Sequence, residues 1–565
     1  MDVLDRVSFE ILRREEQLEA AKLDGVLTAV LRVPDLRVGD ELEVSLTTRL
    51  NDPTLGPLVS GLLVLAPDPL PGRYRLGLSW EPGEEPHVQM TASFEAIAQR
   101  QPQAITLDFD NPGPISLPIK APGRYVWDRA LEYSDFPDWA AVSRRFAPLY
   151  LHAATLGRDS ELKQEARRIA ESSADPMQRL KTAVKLVQQE VRYIYVGLDG
   201  GNFKPATAQE TWQRRYGDCK AKVALLMALL RELGIDAEPV LVSNGGIDDG
   251  FDERLPNPGL FDHVVVRAHV NGDVYWADGT LPGVAEPSAA PVNTYRWVLP
   301  LTKEGAPLEH LEWRPPERPD SVTLFEIDAR AGFDQMARIT RTTIVRGVDG
   351  LQQQLTLSGL TSAQLLNSLR QQGGDTWHTI ENAEWRYDTR AQASILTISG
   401  LGTVAWQNSS QDKKTLSLPG GGFSPPERLS RPIEQKQDLP YYSQSAFNCH
   451  VTTVRLPEAT KMNQWSYNSS FDTRIFGKNY YRVFEIRDNT IRMIRGLRVE
   501  QQEIDAASAQ MDNARIEDFD NSMAVITYNP ARTQPPPRGS AQVPATYELD
   551  WTADRVPCLA ANSLN

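Results

Sequence analysis

The sequence predicts an α+β protein of several domains, in which a core of helices and strands is flanked by β-sandwich domains. At about 100–200 residues per domain, a chain of 565 residues forms roughly three or four domains. Strong helical patterns are confined to one stretch, with short β-like runs on both sides. We therefore predict four regions, namely a β-sandwich domain (1–128), the α+β core (129–290), a β-rich domain (291–420) and a β-rich segment (421–565).

The flanking regions contain short alternating or β-branched runs separated by Gly, Pro, Asn and Asp, which is typical of antiparallel sandwiches. In the N-terminal region the runs are GVLTAVLRV (25–33), DELEVSLTTRL (40–50), RYRLGLSW (73–80) and AITLDFD (104–110). Similar runs return after about residue 290. Junctions rich in Pro or Gly near 312–320, 418–432 and 529–545 indicate linkers or exposed loops.

The core begins with helical patterns. One of them has Asp175 as its predicted N-cap and Pro176 at its first position. Its apolar residues recur every three or four positions and predict one buried stripe. That stripe consists of Leu180, Ala183, Val184, Val187 and Val191.

A second helix is predicted in YGDCKAKVALLMALLRELG, where Asp218 is the N-cap and Gly234 ends the helix. Apolar residues at helical spacing predict one amphipathic face that starts at Cys219. A thiol in the first turn lies beside unpaired N–H groups and the positive end of the helix dipole, which stabilise a thiolate. The alternative is that Cys219 is only a small hydrophobic residue, because free cysteines are often buried.

A nucleophilic thiol needs a base and a group that orients the base. The segment FDHVVVRAHVNGDVYWADGT predicts a hairpin, because Asn271-Gly272 favours a two-residue type I′ turn. In that register His263 and Asp278 are diagonal neighbours on one face. His269 shares the face but lies farther from Asp278, and we interpret it as an ordinary strand histidine. The alternative for the whole segment is a buried β-ribbon without chemistry.

Three further features bear on function. The polar loop 244–259 contains Asp248 and Asp249 and is predicted to be either a solvated loop or a selector of basic peptides. Gln213 is a candidate oxyanion donor or a surface glutamine. No paired cysteine or His-Glu-x-x-His motif is present, so neither a metal site nor a cofactor is expected. A net charge of −14 argues against nucleic acid as a partner.

The segment YGDCKAKVALLMALLRELGIDAEPVLV resembles the cysteine box of the transglutaminase-like superfamily, FDHVVVRA its histidine box and VYWADGT its aspartate box. The resemblance implies a papain-like core in which Cys219 is the nucleophile, His263 the base and then acid, and Asp278 the orienting group. Residues 12–49 are similar to a bacterial β-domain that often precedes this core. By that comparison the first domain starts partway through.

The resemblance implies a cysteine acyl-transfer enzyme that attacks a peptide or carboxamide carbonyl, and we favour hydrolysis over crosslinking. The alternative is a binding or scaffolding protein of the bacterial envelope with a vestigial core. The expected partner is a polypeptide or amide substrate, with no membrane insertion. Family resemblance favours the periplasm or envelope, although the N-terminus shows no leader of a cationic segment followed by an apolar one.

Overall fold

The structure is a computed structural model, and it describes residues 4, 7–13, 27–49, 52–195, 203–372, 376–408, 412–467, 471–516, 524–535, 543–544 and 546–560. Parts of the first predicted strand, of the resemblance in 12–49 and of the last Pro-rich junction lie outside these residues. The chain divides into two compact units. These are Met1–Ile115 with Trp127–Glu312, and Ser116–Val126 with Trp313–Asn565. The four-region division remains a prediction.

The first unit begins with β-strands. Its N-terminal elements are β1 (Glu10–Arg13), β2 (Leu27–Val30), β3 (Ser60–Val64), β4 (Arg73–Ser79), β5 (His87–Met90), α1 (Ala92–Glu95), β6 (Gln99–Gln101), β7 (Ala104–Asp110) and β8 (Ala130–Ser134). Two antiparallel sheets form, in the orders β3-β8-β5 and β4-β7-β6. Leu107 of one sheet and Leu131 of the other are buried in the same apolar cluster, so the sheets form the predicted sandwich.

The strand predicted at 40–50 is wrong for residues 40–49, which have no regular structure. Leu42, Val44 and Leu46 alternate as a strand would, yet they are 53%, 79% and 85% exposed. No described strand lies beside them. An alternating pattern forms a strand only where a neighbour supplies hydrogen bonds and covers the apolar face.

The α+β core follows. Its elements are α2 (Trp139–Ala153), α3 (Glu161–Ser172), α4 (Pro176–Glu190), β9 (Arg192–Tyr193), α5 (Ala208–Arg214), β10 (Tyr216–Gly217), α6 (Cys219–Glu232), β11 (Asp236–Val242), β12 (His263–Val270), β13 (Asp273–Ala277), β14 (Trp297–Pro300) and β15 (Glu309–His310). The last five strands form an antiparallel sheet in the order β13-β12-β11-β14-β15. Helices α2 to α5 surround α6, which packs on β11 and β12.

The predicted helix boundaries at α4 and α6 are confirmed. Asp175 accepts a hydrogen bond from the Met177 N–H at 3.0 Å and caps α4, whose predicted stripe is fully buried. Asp218 accepts from the Ala221 N–H at 3.0 Å and caps α6. Gly234 ends α6 in the left-handed region with φ +70°, a conformation that glycine adopts without steric cost.

The predicted amphipathic character of α6 is wrong. Every residue from Cys219 to Leu230 is buried, including Lys220 and Lys222. An amphipathic stripe implies that the opposite face meets water, but here other helices cover that face. The helix is therefore the central element of the core, and its two lysines find partners inside the protein.

The second unit is dominated by one large sheet. Its elements are β16 (Ser321–Asp328), β17 (Met336–Arg346), α7 (Gly347–Leu357), α8 (Ser362–Gln372), β18 (Thr379–Asp388), β19 (Ala393–Thr403), β20 (Gln407–Asn408), β21 (Lys414–Ser417), β22 (Tyr441–Tyr442), β23 (Phe447–Arg455), β24 (Trp465–Tyr467), β25 (Phe471–Ile475), β26 (Lys478–Arg487), β27 (Thr490–Val499), β28 (Glu503–Ile504), α9 (Ala506–Arg515) and β29 (Val525–Tyr528). Eight strands follow the order β18-β19-β17-β16-β23-β27-β26-β25, with β16 and β23 parallel. Helices α7 to α9 were not predicted.

Residues 543–544 and 546–560, which we call the C-terminal tail, pack on this sheet. Trp551, Val556 and Cys558 join Cys449 of β23 in one apolar cluster. Cys449 and Cys558 form a disulfide. The Cys558 carbonyl comes so close to Gly496 that a β-carbon there would lie 1.6 Å from it, so only glycine fits beneath the tail.

Candidate functional site

Cys219 is the first residue of α6 and is buried, with 1% of its surface exposed. Among the described residues it is the cysteine that is not in a disulfide. The side chain of the N-cap residue Asp218 accepts a hydrogen bond from the Ala221 N–H, and its backbone carbonyl accepts one from the Lys222 N–H. The Cys219 N–H precedes both in the first turn, where backbone donors have no intrahelical partner.

The hairpin brings His263 and Asp278 together, as its predicted register requires. Val270 pairs with Asp273, and Arg267 pairs with Trp276, around a turn in which Asn271 and Gly272 have positive φ. His263 begins β12, and Asp278 follows β13 directly. The His263 Nε2 lies 2.8 Å from the Asp278 Oδ2.

The other ring nitrogen of His263 is left for the thiol. A hydrogen bond with the Cys219 side chain contributes to the raised pKa of the His263 ring, as the hydrogen bond with Asp278 does. Because the Asp278 carboxylate occupies Nε2, Nδ1 is the ring nitrogen that remains for the sulfur. The structure therefore places Cys219, His263 and Asp278 in one chain of hydrogen bonds.

Electrostatics favour a charged His263 and a charged Asp278. Burial acts to lower the pKa of His263, but the charge of Asp278 and hydrogen bonds to Asp278 and Cys219 outweigh it and raise the pKa to about 10. Burial acts to raise the pKa of Asp278, but His263 and hydrogen bonds from Thr280 hold it below the ordinary value. The pair is thus an imidazolium and a carboxylate at neutral pH.

The second carboxylate oxygen of Asp278 is hydrogen-bonded to Thr280, two residues further along the chain. Its Oδ1 accepts hydrogen bonds from the Thr280 N–H at 2.8 Å and from the Thr280 hydroxyl at 2.7 Å. These bonds leave Oδ2 directed at His263. The carboxylate therefore has little freedom to turn away from the ring.

Comparison with known proteins agrees with this geometry. Residues 163–281 match the model of the transglutaminase-like superfamily, and that span includes all three residues of the hydrogen-bonded chain. These residues form a transglutaminase-like domain. The predicted transglutaminase-like core is thereby confirmed for this stretch, and the predicted α+β multidomain fold class is confirmed as well.

One solved structure shares the fold over most of the chain. A protein of Parabacteroides distasonis, described as a putative protease, is 13% identical and aligns over 93% of this chain and 85% of its own with a TM-score of 0.51. A putative cysteine protease of Cytophaga hutchinsonii is 10% identical over 40% of this chain and 71% of its own, with a TM-score of 0.18. The first likeness extends the shared fold beyond the transglutaminase-like domain. No curated protein matches the chain significantly.

Two buried lysines of the transglutaminase-like domain were not predicted. Lys220 forms an ion pair of 2.5 Å with Asp218, and the Lys222 ammonium donates to the Val191 carbonyl. The pattern CKAK at the start of an otherwise apolar helix was the available signal. Lysines are almost never fully buried unless they are paired.

Other sequence-based candidates have structural roles instead. Asp248 accepts hydrogen bonds from the backbone N–H groups of Arg296 and Trp297, and Asp249 forms an ion pair with Arg296. Both carboxylates are buried, so neither the solvated-loop nor the basic-peptide interpretation holds for them. Gln213 is exposed on α5, as a surface glutamine would be.

A groove of about 690 Å³ runs beside the start of α6, and we call it the helix-start groove. It is lined by residues of α2 and α5, by 204–207, and by Gly217 and Asp218, which directly precede the thiol. Among the described residues no group of three or more His, Cys, Asp or Glu side chains is arranged so that it could hold a metal ion. In the same residues no helix is both long and apolar enough to cross a bilayer.

Proposed function

We propose that the transglutaminase-like domain is a cysteine hydrolase that cleaves peptide or carboxamide bonds through an acyl-enzyme. The observation that carries this proposal is the hydrogen-bonded chain from Cys219 through His263 to Asp278. Its parts match what thiol catalysis requires, namely a nucleophile, a base within reach and a fixed orienting group. The raised pKa of His263 supports an imidazolium that stabilises a neighbouring thiolate.

In the first step the Cys219 thiolate attacks the carbonyl carbon, and the carbonyl electrons move to oxygen. The N–H of Cys219, at the positive end of α6, is placed to stabilise that oxyanion. The intermediate then collapses, and the C–N bond breaks while the His263 imidazolium gives its proton to the departing nitrogen. A thioester on Cys219 and a free amine result.

In the second step water attacks the thioester. Neutral His263 takes a proton from the water, the C–S bond breaks, and a carboxylic acid leaves. The proton returns the site to its thiolate–imidazolium state. Throughout, Asp278 stays ionised and holds the ring in place, as its hydrogen bonds from Thr280 support.

Burial supports water as the acceptor. Cys219 and His263 are 1% and 3% exposed, so little open space surrounds the sulfur. A lysine amine on a second protein needs a wide approach to reach such a thioester, whereas water does not. The helix-start groove, within the size range of ligand sites, is where we place the peptide segment next to the scissile bond.

Iodoacetamide labelling of Cys219 between pH 5 and 9 tests the thiolate. In the wild type we expect the labelling rate to reach half its maximum well below pH 8.5, the ordinary value for a thiol. In His263→Ala the midpoint should move upward, because the imidazolium is lost. His269→Ala changes an exposed histidine on the same strand and should match the wild type.

A slow titration with the same midpoint in wild type and His263→Ala would contradict a catalytic thiol. Cys219 would then be a core residue, and the scaffolding alternative would gain support. Cys219→Ser supplies the baseline for labelling at other positions. Cys449 and Cys558 are bonded to each other and do not compete for the reagent.

The choice of acceptor is tested with a library of end-blocked peptides in ¹⁸O-labelled water that also contains a primary alkylamine. We expect wild-type protein to release peptides whose new carboxyl group carries one ¹⁸O atom. Cys219→Ala should release none. Products that carry the alkylamine instead of ¹⁸O would show that an amine resolves the acyl-enzyme, and hydrolysis would be the wrong assignment.

A further inference from the structure

Lys222 is a fully buried cation one turn below the thiol. It follows Cys219 by three positions on α6, a spacing that places the two side chains on neighbouring parts of the helix surface. Its side chain is 1% exposed. A buried ammonium is costly unless negative groups surround it, so its neighbours indicate what it does.

One neighbour is the end of α4. The Lys222 ammonium donates a hydrogen bond to the carbonyl of Val191, the C-cap residue of that helix. The last carbonyls of a helix lack intrahelical donors, and cations are favourable there. This contact ties α6 to the point where α4 passes into β9.

The second neighbour is Asp278. The carboxylate charge of Asp278 acts on Lys222 and opposes the effect of burial, which lowers the lysine pKa to about 8. Among the described residues, Asp278 is the one whose charge acts on the Lys222 ammonium. At neutral pH the ammonium is therefore largely protonated and faces a buried anion.

The segment that contains Asp278 and Gly279 packs against α4 and α6. A β-carbon on Gly279 would lie 3.1 Å from Val187 Cγ1 of α4, which is a tight contact, and 3.5 Å from the Lys222 β-carbon, which is an ordinary one, so this glycine packs against both helices. Gln188 of α4 donates to the Asp278 carbonyl at 3.0 Å. The same two helices thus fix the backbone of Asp278 and bring the Lys222 charge to it.

We infer that Lys222 is a positioning residue whose charge keeps Asp278 ionised and directed at His263. This inference rests on the proposed function of the site and adds a fourth group to it. The buried charges then alternate from Lys222 through Asp278 and His263 to Cys219. Without the ammonium, Asp278 would be a buried carboxylate with one cation instead of two.

The test measures iodoacetamide labelling of Cys219 from pH 4 to 9 in the full chain. Lys222→Gln keeps a donor for the Val191 carbonyl but removes the charge, whereas Lys222→Arg keeps the charge. Loss of a nearby cation raises the pH at which both Asp278 and the thiol ionise, so the acid limb should move upward by about one pH unit in Lys222→Gln. At pH values on that limb, labelling should be about tenfold slower than in the wild type.

Lys222→Arg should keep the wild-type limb, as should Lys185→Met, which changes an exposed lysine of α4. Thermal melting is recorded for every variant. A Lys222→Gln protein that melts earlier but keeps the wild-type limb would show that Lys222 only stabilises the fold, and the inference would be wrong. Lys222→Met provides a second uncharged variant under the same criterion.

The inference and the proposed function fail in different ways. If wild-type labelling does not depend on His263, the thiolate itself is absent and both are overturned. If wild-type labelling depends on His263 but neither uncharged variant shifts the limb, only the role of Lys222 is overturned.

Discussion

Replacing Asp278 with asparagine is expected to lower the pH at which the His263 ring loses its proton by about three units or more. In the wild type the pKa of His263 is about 10, because the charge and hydrogen bond of Asp278 outweigh burial. Asparagine keeps the shape but not the charge, so only Cys219 still opposes the effect of burial, and the pKa should fall to the ordinary value of about 6.5 or below it. The change in proton affinity is a factor on the order of 10³.

The measurement is NMR titration of the ring carbons in protein labelled at its histidines, with the His263 signal assigned from its loss in His263→Gln. At pH 7 the ring of Asp278→Asn should be neutral, and iodoacetamide should react with Cys219 far more slowly than in the wild type. Asp273→Asn, an exposed change on the same hairpin, should leave the titration unaltered. A wild-type ring that titrates near pH 6.5 would contradict the ion pair.

Removing the disulfide between Cys449 and Cys558 is expected to lower the free energy of unfolding of the second unit by about 4 kcal/mol. The bridge joins residues 109 positions apart. In the chain-entropy model, closing a loop of that length restricts the unfolded chain and stabilises the fold by about 4–5 kcal/mol. Both cysteines are buried, so serine in their place also leaves buried hydroxyl groups.

Urea unfolding of the double variant Cys449→Ser/Cys558→Ser, followed by tryptophan fluorescence, measures this loss. Limited proteolysis should then cut the C-terminal tail first, because the tail would lose its covalent attachment to β23. Cys219→Ser is the matched control, since it removes a buried thiol outside the bridge. Equal unfolding midpoints with and without a reductant would show that tail packing alone holds the unit together.

The sequence predicted those parts of the site that depend on local rules. Asp218 as an N-cap placed Cys219 at the start of a helix, and Asn271-Gly272 fixed the hairpin register. Each rule concerns residues a few positions apart, where spacing determines geometry. The hairpin register led to the predicted proximity of His263 and Asp278, although the functional roles of these residues remain proposals.

The features that were missed depend on contacts between distant segments. Nothing near Lys222 in the sequence shows that α4 ends beside it, so its buried position could not be derived from spacing. Asp248 belongs to a polar loop, yet its partners are backbone groups 48 and 49 positions away. The run at 40–49 shows the reverse case, because its strand-like alternation has no described neighbour to pair with.

The position of the C-terminal tail has a consequence for biosynthesis. The cluster around Cys449 is completed by Trp551, Val556 and Cys558, about one hundred residues later in the chain. While the ribosome is still adding those residues, the face of β23 and β27 that they cover remains open to water. The second unit therefore reaches its final packing only after residue 558 has emerged, and until then its sheet offers an apolar surface that chaperones can bind.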